Sequence, residues 1–153
     1  MSSHHHHWAA GVLPVCVHDG VAMVLLGLDA RSKGGKWSDF AGGGEPEDAS
    51  PAHTALRELD EETGGAVVVT HEDLRASLRF QGVTPSGKTL HRFVAVVEYD
   101  ESVSMRFPGS KDQEKVALAW FPLHALPPLR RCFDAQMRVD ADAIRRFVKD
   151  TNT

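Results

Sequence analysis

The chain has 153 residues, 42% of them hydrophobic and 25% charged, and carries a net charge of −4 at pH 7. These values fit one soluble globular domain able to bury a core, and they exclude a fibrous or low-complexity chain. The mild acidity gives no global signature of nucleic-acid or anionic-membrane binding, and no apolar run approaches the roughly 20 residues that span a bilayer.

Residues 1–8, with four histidines directly after Met1-Ser2-Ser3, read as a tag-like, disordered N-terminus, which leaves residues 9–150 as a single domain. The two cysteines, Cys16 and Cys132, lie far apart in apolar surroundings. That suits buried thiols in a reducing, cytoplasmic compartment.

Val12 to Val17 is an apolar, β-branched run and reads as a strand. His18-Asp19-Gly20 carries the Asp-Gly hairpin signal, and Val21 to Leu28 is a second, nearly continuous apolar run. Such a run predicts a strand buried on both faces. Asp29 to Lys36 is a polar loop whose Arg31, Lys33 and Lys36 form either a solvated loop or an anion-attracting rim. Trp37 either stacks on a substrate base or packs where the chain enters a sheet.

Gly42, Gly43 and Gly44 permit a close backbone approach to a ligand. Ser50-Pro51 fits a helix start, with Ser50 as N-cap, and Gly64 fits its end, so a helix is predicted over about 51–63. Ala66 to Thr70 reads as a short strand, residues 72–80 as a turn leading into a strand, and Gln81 to Lys88 as a polar loop. Thr89 to Tyr99 and Glu114 to Phe121 read as strands with an irregular stretch between them. Pro122 to Pro128 is a turn-rich link, and Val139 to Lys149 reads as an amphipathic helix. Six or so strands separated by two helices predict an α/β (α+β) fold with a mixed sheet packed between helices.

The predicted helix ends in Arg57-Glu58-Leu59-Asp60-Glu61-Glu62. Glu58, Glu61 and Glu62 share a face, and Ala52, Ala55, Leu56 and Leu59 share another. Like charges at i, i+4 repel, and acids near a helix C-terminus oppose its dipole; each penalty is a few tenths of a kcal/mol to about 1 kcal/mol. A bound cation removes both. The plainer alternative is a solvated acidic face. The Gly-rich approach and the closing Gly64-Gly65 favour converging carboxylates.

The Gly42–Gly65 stretch resembles the signature of the Nudix hydrolases. Gly43 stands at the first position, and Arg57-Glu58-Leu59, Glu61-Glu62 and Gly64 match the second half at the required spacing. Two positions depart from it. Ala49 stands where the family has its first glutamate, and Gly65 replaces a final apolar residue. The missing glutamate ordinarily braces the arginine, so Glu47 and Asp48 are the candidates to replace it.

The resemblance implies an α/β/α sandwich and a Mg²⁺-dependent (or Mn²⁺-dependent) pyrophosphohydrolase. The substrate would be a small nucleotide or polyphosphate, a nucleoside diphosphate derivative or nucleoside triphosphate foremost. It names Glu58, Glu61 and Glu62 as metal ligands and Arg57 as their orienting partner. Glu58, Glu61 and Glu114 are the candidates for general base, and Gly42, Gly43, Lys36 and Trp37 for binding substrate. Subgroup markers that follow the signature, a proline or a tyrosine, are missing from Arg79 to Val83. A short Trp-Ser-Asp-Phe echo keeps capped RNA and inositol pyrophosphates among the substrate candidates, and dinucleoside polyphosphates stand as a further alternative. The altered first half of the signature also permits a nucleotide-binding module that does not hydrolyse. Members of the family are often dimers, so the resemblance admits a homodimer without fixing the oligomeric state.

Overall fold

A two-residue turn with both central residues at positive φ matches the right-handed twist of the strands it joins. Asp19 (φ 51°) and Gly20 (φ 77°) make that turn and join β1 (Trp8–His18) to β2 (Val21–Asp29). The computed structural model describes residues 7–152. Residues 1–6 of the tag-like segment lie outside the described residues. Trp8 belongs to β1, and its indole Nε1 donates to Thr54 Oγ1 at 2.9 Å, so the fold includes the last residue of the segment predicted to be disordered.

One mixed sheet of seven strands carries the molecule. Its main path runs β3 (Trp37–Ser38), β2, β1, β6 (Thr89–Val96), β5 (Leu78–Val83). β4 (Phe40–Gly43) pairs with the start of β1, and β7 (Lys115–Pro122) pairs with β2. β1 and β6 are parallel; the other pairings are antiparallel.

The continuous apolar runs are explained by burial on both faces. Val12, Leu25 and Phe93 point to one face, under α1 (Pro51–Thr63), α2 (His71–Arg75) and α3 (Val103–Arg106). Leu13, Leu26 and Val94 point to the other, under α4 (Arg131–Thr151). The result is the mixed-sheet sandwich expected from the sequence.

The helix α1 forms where its capping signals lie. Ser50 Oγ accepts from the His53 amide, Pro51 opens the helix, and Gly64 closes it in the left-handed conformation (φ 61°). Ala55 and Leu59 then pack on the sheet.

Four predicted elements change, the first being the expected polar loop over Gln81 to Lys88, whose first three residues belong to β5. Ala66 to Thr70 joins no strand pairing; it leads into α2, which Thr70 and Asp73 start as a capping box. The irregular stretch before β7 contains α3, whose Val103 is buried. The last helix starts at Arg131 rather than Val139, because Phe133 and Met137 extend its buried stripe by two turns.

Leu59 is 1% exposed within the α1-side core. Leu59→Ala is expected to cost about 2–5 kcal/mol of unfolding free energy in denaturant titration.

Candidate active site

The acidic end of α1 faces the strand end Gly42–Gly43, and the space between them is a cleft of about 330 Å³. Glu58, Glu62, Glu114, Asp29, Lys33 and Arg130 line it with these glycines. The absence of a side chain at Gly42 is a steric requirement. A Cβ there would lie 2.4 Å from the Glu58 carboxylate.

Arg57 organises the wall. Its Nε donates to Asp48 Oδ1 at 3.1 Å and its Nη2 to Asp48 Oδ2 at 2.9 Å. Nη2 also donates to the Gly43 carbonyl at 3.1 Å. Its Nη1 reaches Glu58 at 3.1 Å and Glu61 at 3.2 Å. The fork geometry of a guanidinium suits such two-oxygen recognition.

Asp48 therefore fills the role that Ala49 leaves open. Its carboxylate also accepts from Thr54 Oγ1 at 2.7 Å and the Glu45 amide at 2.9 Å. Burial raises the Asp48 pKa, but hydrogen bonds from Arg57, Glu45 and Thr54 outweigh it and hold the carboxyl well below the usual range. Asp48 in turn pushes the Arg57 guanidinium higher. Ala49 contributes only its amide, which donates to His53 Nδ1 at 3.1 Å.

Glu62 is 4% exposed, and its Oε2 is a buried oxygen with no hydrogen-bond partner among the described residues. Burial raises its proton affinity well above that of an ordinary carboxylate; the Lys115 ammonium opposes this and the Glu58 charge adds to it. Burial likewise raises Glu58, with Arg57 opposing. An orphaned carboxylate oxygen beside a second carboxylate is costly unless a proton or a cation joins it.

These all-oxygen donors fit a hard divalent ion. Glu58 and Glu62 face the cleft as such a site requires. Glu61 does not line it: its carboxylate is engaged by Arg57 and lies 3.6 Å from Lys111 Nζ. Among the described residues, no three His, Cys, Asp or Glu side chains converge closely enough to hold a metal ion. Glu61 must leave Arg57 and Lys111 to complete a three-carboxylate set.

Glu114 lines the cleft. Lys36 is exposed and lies outside the lining, where Lys33 takes the place expected of it. Trp37 packs edge-on against Phe121, with ring centroids 4.8 Å apart, in the α4-side layer. It thus has the packing role and not the base-stacking one.

Sequence reasoning missed the charges beneath the cleft. Lys115 Nζ is buried and donates to Asp29 Oδ1 at 2.7 Å and Ser38 Oγ at 2.6 Å; Glu62 Oε1 lies 3.8 Å away. Arg130 Nη2 pairs with the other Asp29 oxygen at 2.8 Å. The cause is a register shift between Leu28 and Asp29, where Leu28 faces Ala117 and Asp29 faces Lys115. A bulge of this kind turns side chains to the opposite face, and it leaves Val116 54% exposed and Lys115 2% exposed. The charges at the ends of two apolar runs, Asp29 and Lys115, were the available signal.

The NUDIX domain family pattern matches residues 5–140. The chain belongs to the Nudix family. Among curated proteins, none matches the sequence. Solved structures share its fold at low identity. The NUDIX domain of Shewanella oneidensis NrtR, complexed with ADP ribose, is 22% identical, with a TM-score of 0.63 over 90% of this chain and 86% of that one. The Nudix hydrolase RenU of M. smegmatis is 20% identical, with a TM-score of 0.59 over 90% and 85%. A C. elegans Ap4A hydrolase is 16% identical, with a TM-score of 0.58 over 94% and 95%. No helix among the described residues is long and apolar enough to cross a membrane.

Asp48→Asn is expected to cost about 1.5–3 kcal/mol at neutral pH, the scale of a hydrogen bond to a charged group. Because the folded carboxyl has the lower pKa, this advantage of the wild type is full above about pH 5 and shrinks as pH falls toward 2. Thermal unfolding of both proteins across that range is the check. Gly42→Ala is expected to push the Glu58 carboxylate aside. The measurement is calorimetric Mg²⁺ affinity, expected to fall while the melting temperature changes by only a few degrees.

Proposed function

We propose that this Nudix protein is a divalent-metal-dependent pyrophosphohydrolase that cleaves the diphosphate of a nucleoside diphosphate derivative or nucleoside triphosphate. The observation that carries this reading is the buried, unpartnered Glu62 Oε2 beside Glu58, in a cleft floored by side-chain-free Gly42 and Gly43. More carboxylates than cations meet there, so a bare diphosphate would be repelled.

Glu58, Glu61 and Glu62 would hold Mg²⁺ or Mn²⁺. When bound, such an ion screens phosphate charge and lowers the pKa of an attacking water. The protein's own residues do the rest. Arg57 holds Glu58 in position through Nη1, and Glu61 would have to leave the same nitrogen to join Glu58 and Glu62 at the ion. Glu114 and Glu58 are the carboxylates lining the cleft that are available to accept the water's proton. Lys33 supplies positive charge at the same cleft for the departing phosphate, where Arg130 is already paired with Asp29.

A second reading is a Nudix module that binds a nucleotide without hydrolysing it. The engagement of Glu61 by Arg57 and Lys111 favours it, because it keeps one expected ligand out of the cleft. The described relatives span both ADP ribose and Ap4A as named ligand or substrate, so neither chemistry is preferred on that ground.

A screen of nucleoside triphosphates, ADP-ribose, dinucleoside polyphosphates, capped RNA and inositol pyrophosphates, with Mg²⁺ and with Mn²⁺, tests the reading. Turnover of a nucleotide diphosphate is the expected result, and tight calorimetric binding with no product over hours supports the module instead. Glu62→Gln is expected to lower turnover of the best substrate by at least about 10–100-fold, the scale seen when even the partners of metal ligands are altered. Undiminished turnover in Glu62→Gln would remove Glu62 from the site.

A further inference from the structure

Arg75 and Arg79 are cations with no carboxylate partner among the described residues, in a chain that is acidic overall. Both line a cavity of about 380 Å³ between the first half of α1, α2 and the β5–β6 pair. Its volume lies in the range of small-ligand pockets, roughly 300–1,000 Å³. Ala52, His71, Leu74 and Phe93 complete the lining, so no acid faces the ligand space, and no residue is shared with the acidic cleft.

Local structure explains why the arginines stand there. Thr70 and Asp73 cap α2 reciprocally, which commits the Asp73 carboxylate to the helix start and leaves Arg75 in the last turn. Asp73 faces a different cavity, beside Val97 and Arg106. In the antiparallel β5–β6 pair, Arg79 stands opposite Phe93. Its guanidinium carbon lies 4.6 Å from the centre of the Phe93 ring, and its Nη2 donates to His91 Nδ1 at 3.3 Å. A histidine that accepts at Nδ1 carries its proton on Nε2 and is neutral. Burial lowers the proton affinity of His91, and the Arg79 charge adds to this, so the ring stays in that form. Phe93 and His91 thus hold one guanidinium in place with its other donors free. The floor of the cavity, Leu74 and Phe93, is buried and apolar and offers a ligand no hydrogen bond.

We propose that this cavity binds a terminal phosphate, free or at the end of a small organic ester, at a site separate from the acidic cleft. Arginine stems do cover apolar surface, and that alone accounts for the stack of Arg79 on Phe93. It does not account for a second arginine at the same cavity, nor for the missing counter-charge. A phosphate near neutral pH carries close to two negative charges, which match the two guanidiniums. Its three free oxygens let each fork take its own partners. A carboxylate, with one charge and two oxygens, leaves one arginine uncompensated. The acidic cleft admits phosphate only with a cation beside its carboxylates, whereas this cavity needs none.

Calorimetric titration in excess EDTA reads this site without metal or turnover. Inorganic phosphate, phenyl phosphate and benzoate are the probes. Phosphate is expected to saturate with an affinity of about 1 mM or tighter. Phenyl phosphate is expected to bind at least as tightly, and benzoate at least about tenfold more weakly than phenyl phosphate, the scale of one hydrogen bond to a charged group. A gain of phenyl phosphate over phosphate supports an ester whose organic body lies on the apolar floor; equal affinity supports free phosphate.

Arg75→Ala and Arg79→Ala, each checked for an intact thermal transition, are expected to weaken phosphate about tenfold or more. Arg79→Lys keeps the charge and loses the fork, and it is expected to weaken phosphate as well. Lys33→Ala and Lys88→Ala remove cations outside this cavity and are expected to leave the affinity unchanged. No saturable binding of either phosphate by about 10 mM overturns the proposal. So does an affinity unchanged in folded Arg75→Ala and Arg79→Ala, or lost in Lys33→Ala or Lys88→Ala. Each of these results leaves the pyrophosphohydrolase reading standing, because neither arginine belongs to the acidic cleft.

Discussion

One guanidinium holds the site in shape. Arg57 reaches the end of β4 through the Gly43 carbonyl, the following loop through Asp48, and its own helix through Glu58 and Glu61. Three stretches of chain are thus tied to one rigid planar group. A lysine at that position would supply the charge without the fork, and the loop and the strand end could not both be held. The Gly42–Glu58 approach depends on this tie, because it leaves no room for a side chain between them.

The second constraint is electrostatic. Asp29, Lys115, Arg130 and Glu62 form a buried chain of charges under the cleft. The Asp29 carboxylate is bound on both oxygens, by Lys115 and by Arg130, so most of their positive charge is already spent there. Glu62 receives only the remainder, at 3.8 Å from Lys115. A carboxylate so weakly compensated and so deeply buried is a poor stabilising element.

The sequence made legible what depends on local pattern. Ser50, Pro51 and Gly64 bounded α1 correctly because caps act within one turn. Asp19-Gly20 declared its hairpin for the same reason. The substitution of Asp48 for the missing glutamate was legible as a pair of candidates, and only three-dimensional reach decided between Glu47 and Asp48. Elements whose cause lies elsewhere in the chain were not legible. Lys115 is buried because a bulge opposite Asp29 inverts the strand's faces, and no periodicity in residues 114–121 encodes it. The extended 66–70 segment has strand-like residues but finds no partner, since α2 and α3 pack beside it on that face. The first turns of α4 escaped notice because Arg130, Arg131 and Asp134 obscure the stripe begun by Phe133 and Met137.

The parallel pairing of β1 with β6 has a kinetic consequence. β1 starts at Trp8, lies at the centre of the sheet, and meets β6 only from Thr89 onward. Its hairpin with β2 is local and can close within microseconds of the residues meeting. The other edge of β1 has to wait until nearly two-thirds of the chain is available. Until then an apolar strand edge is open, and pairing of such sequence separation is slow relative to helical contacts. Assembly of the sheet's centre, and not of its helices, thus sets the pace at which this protein reaches its working form.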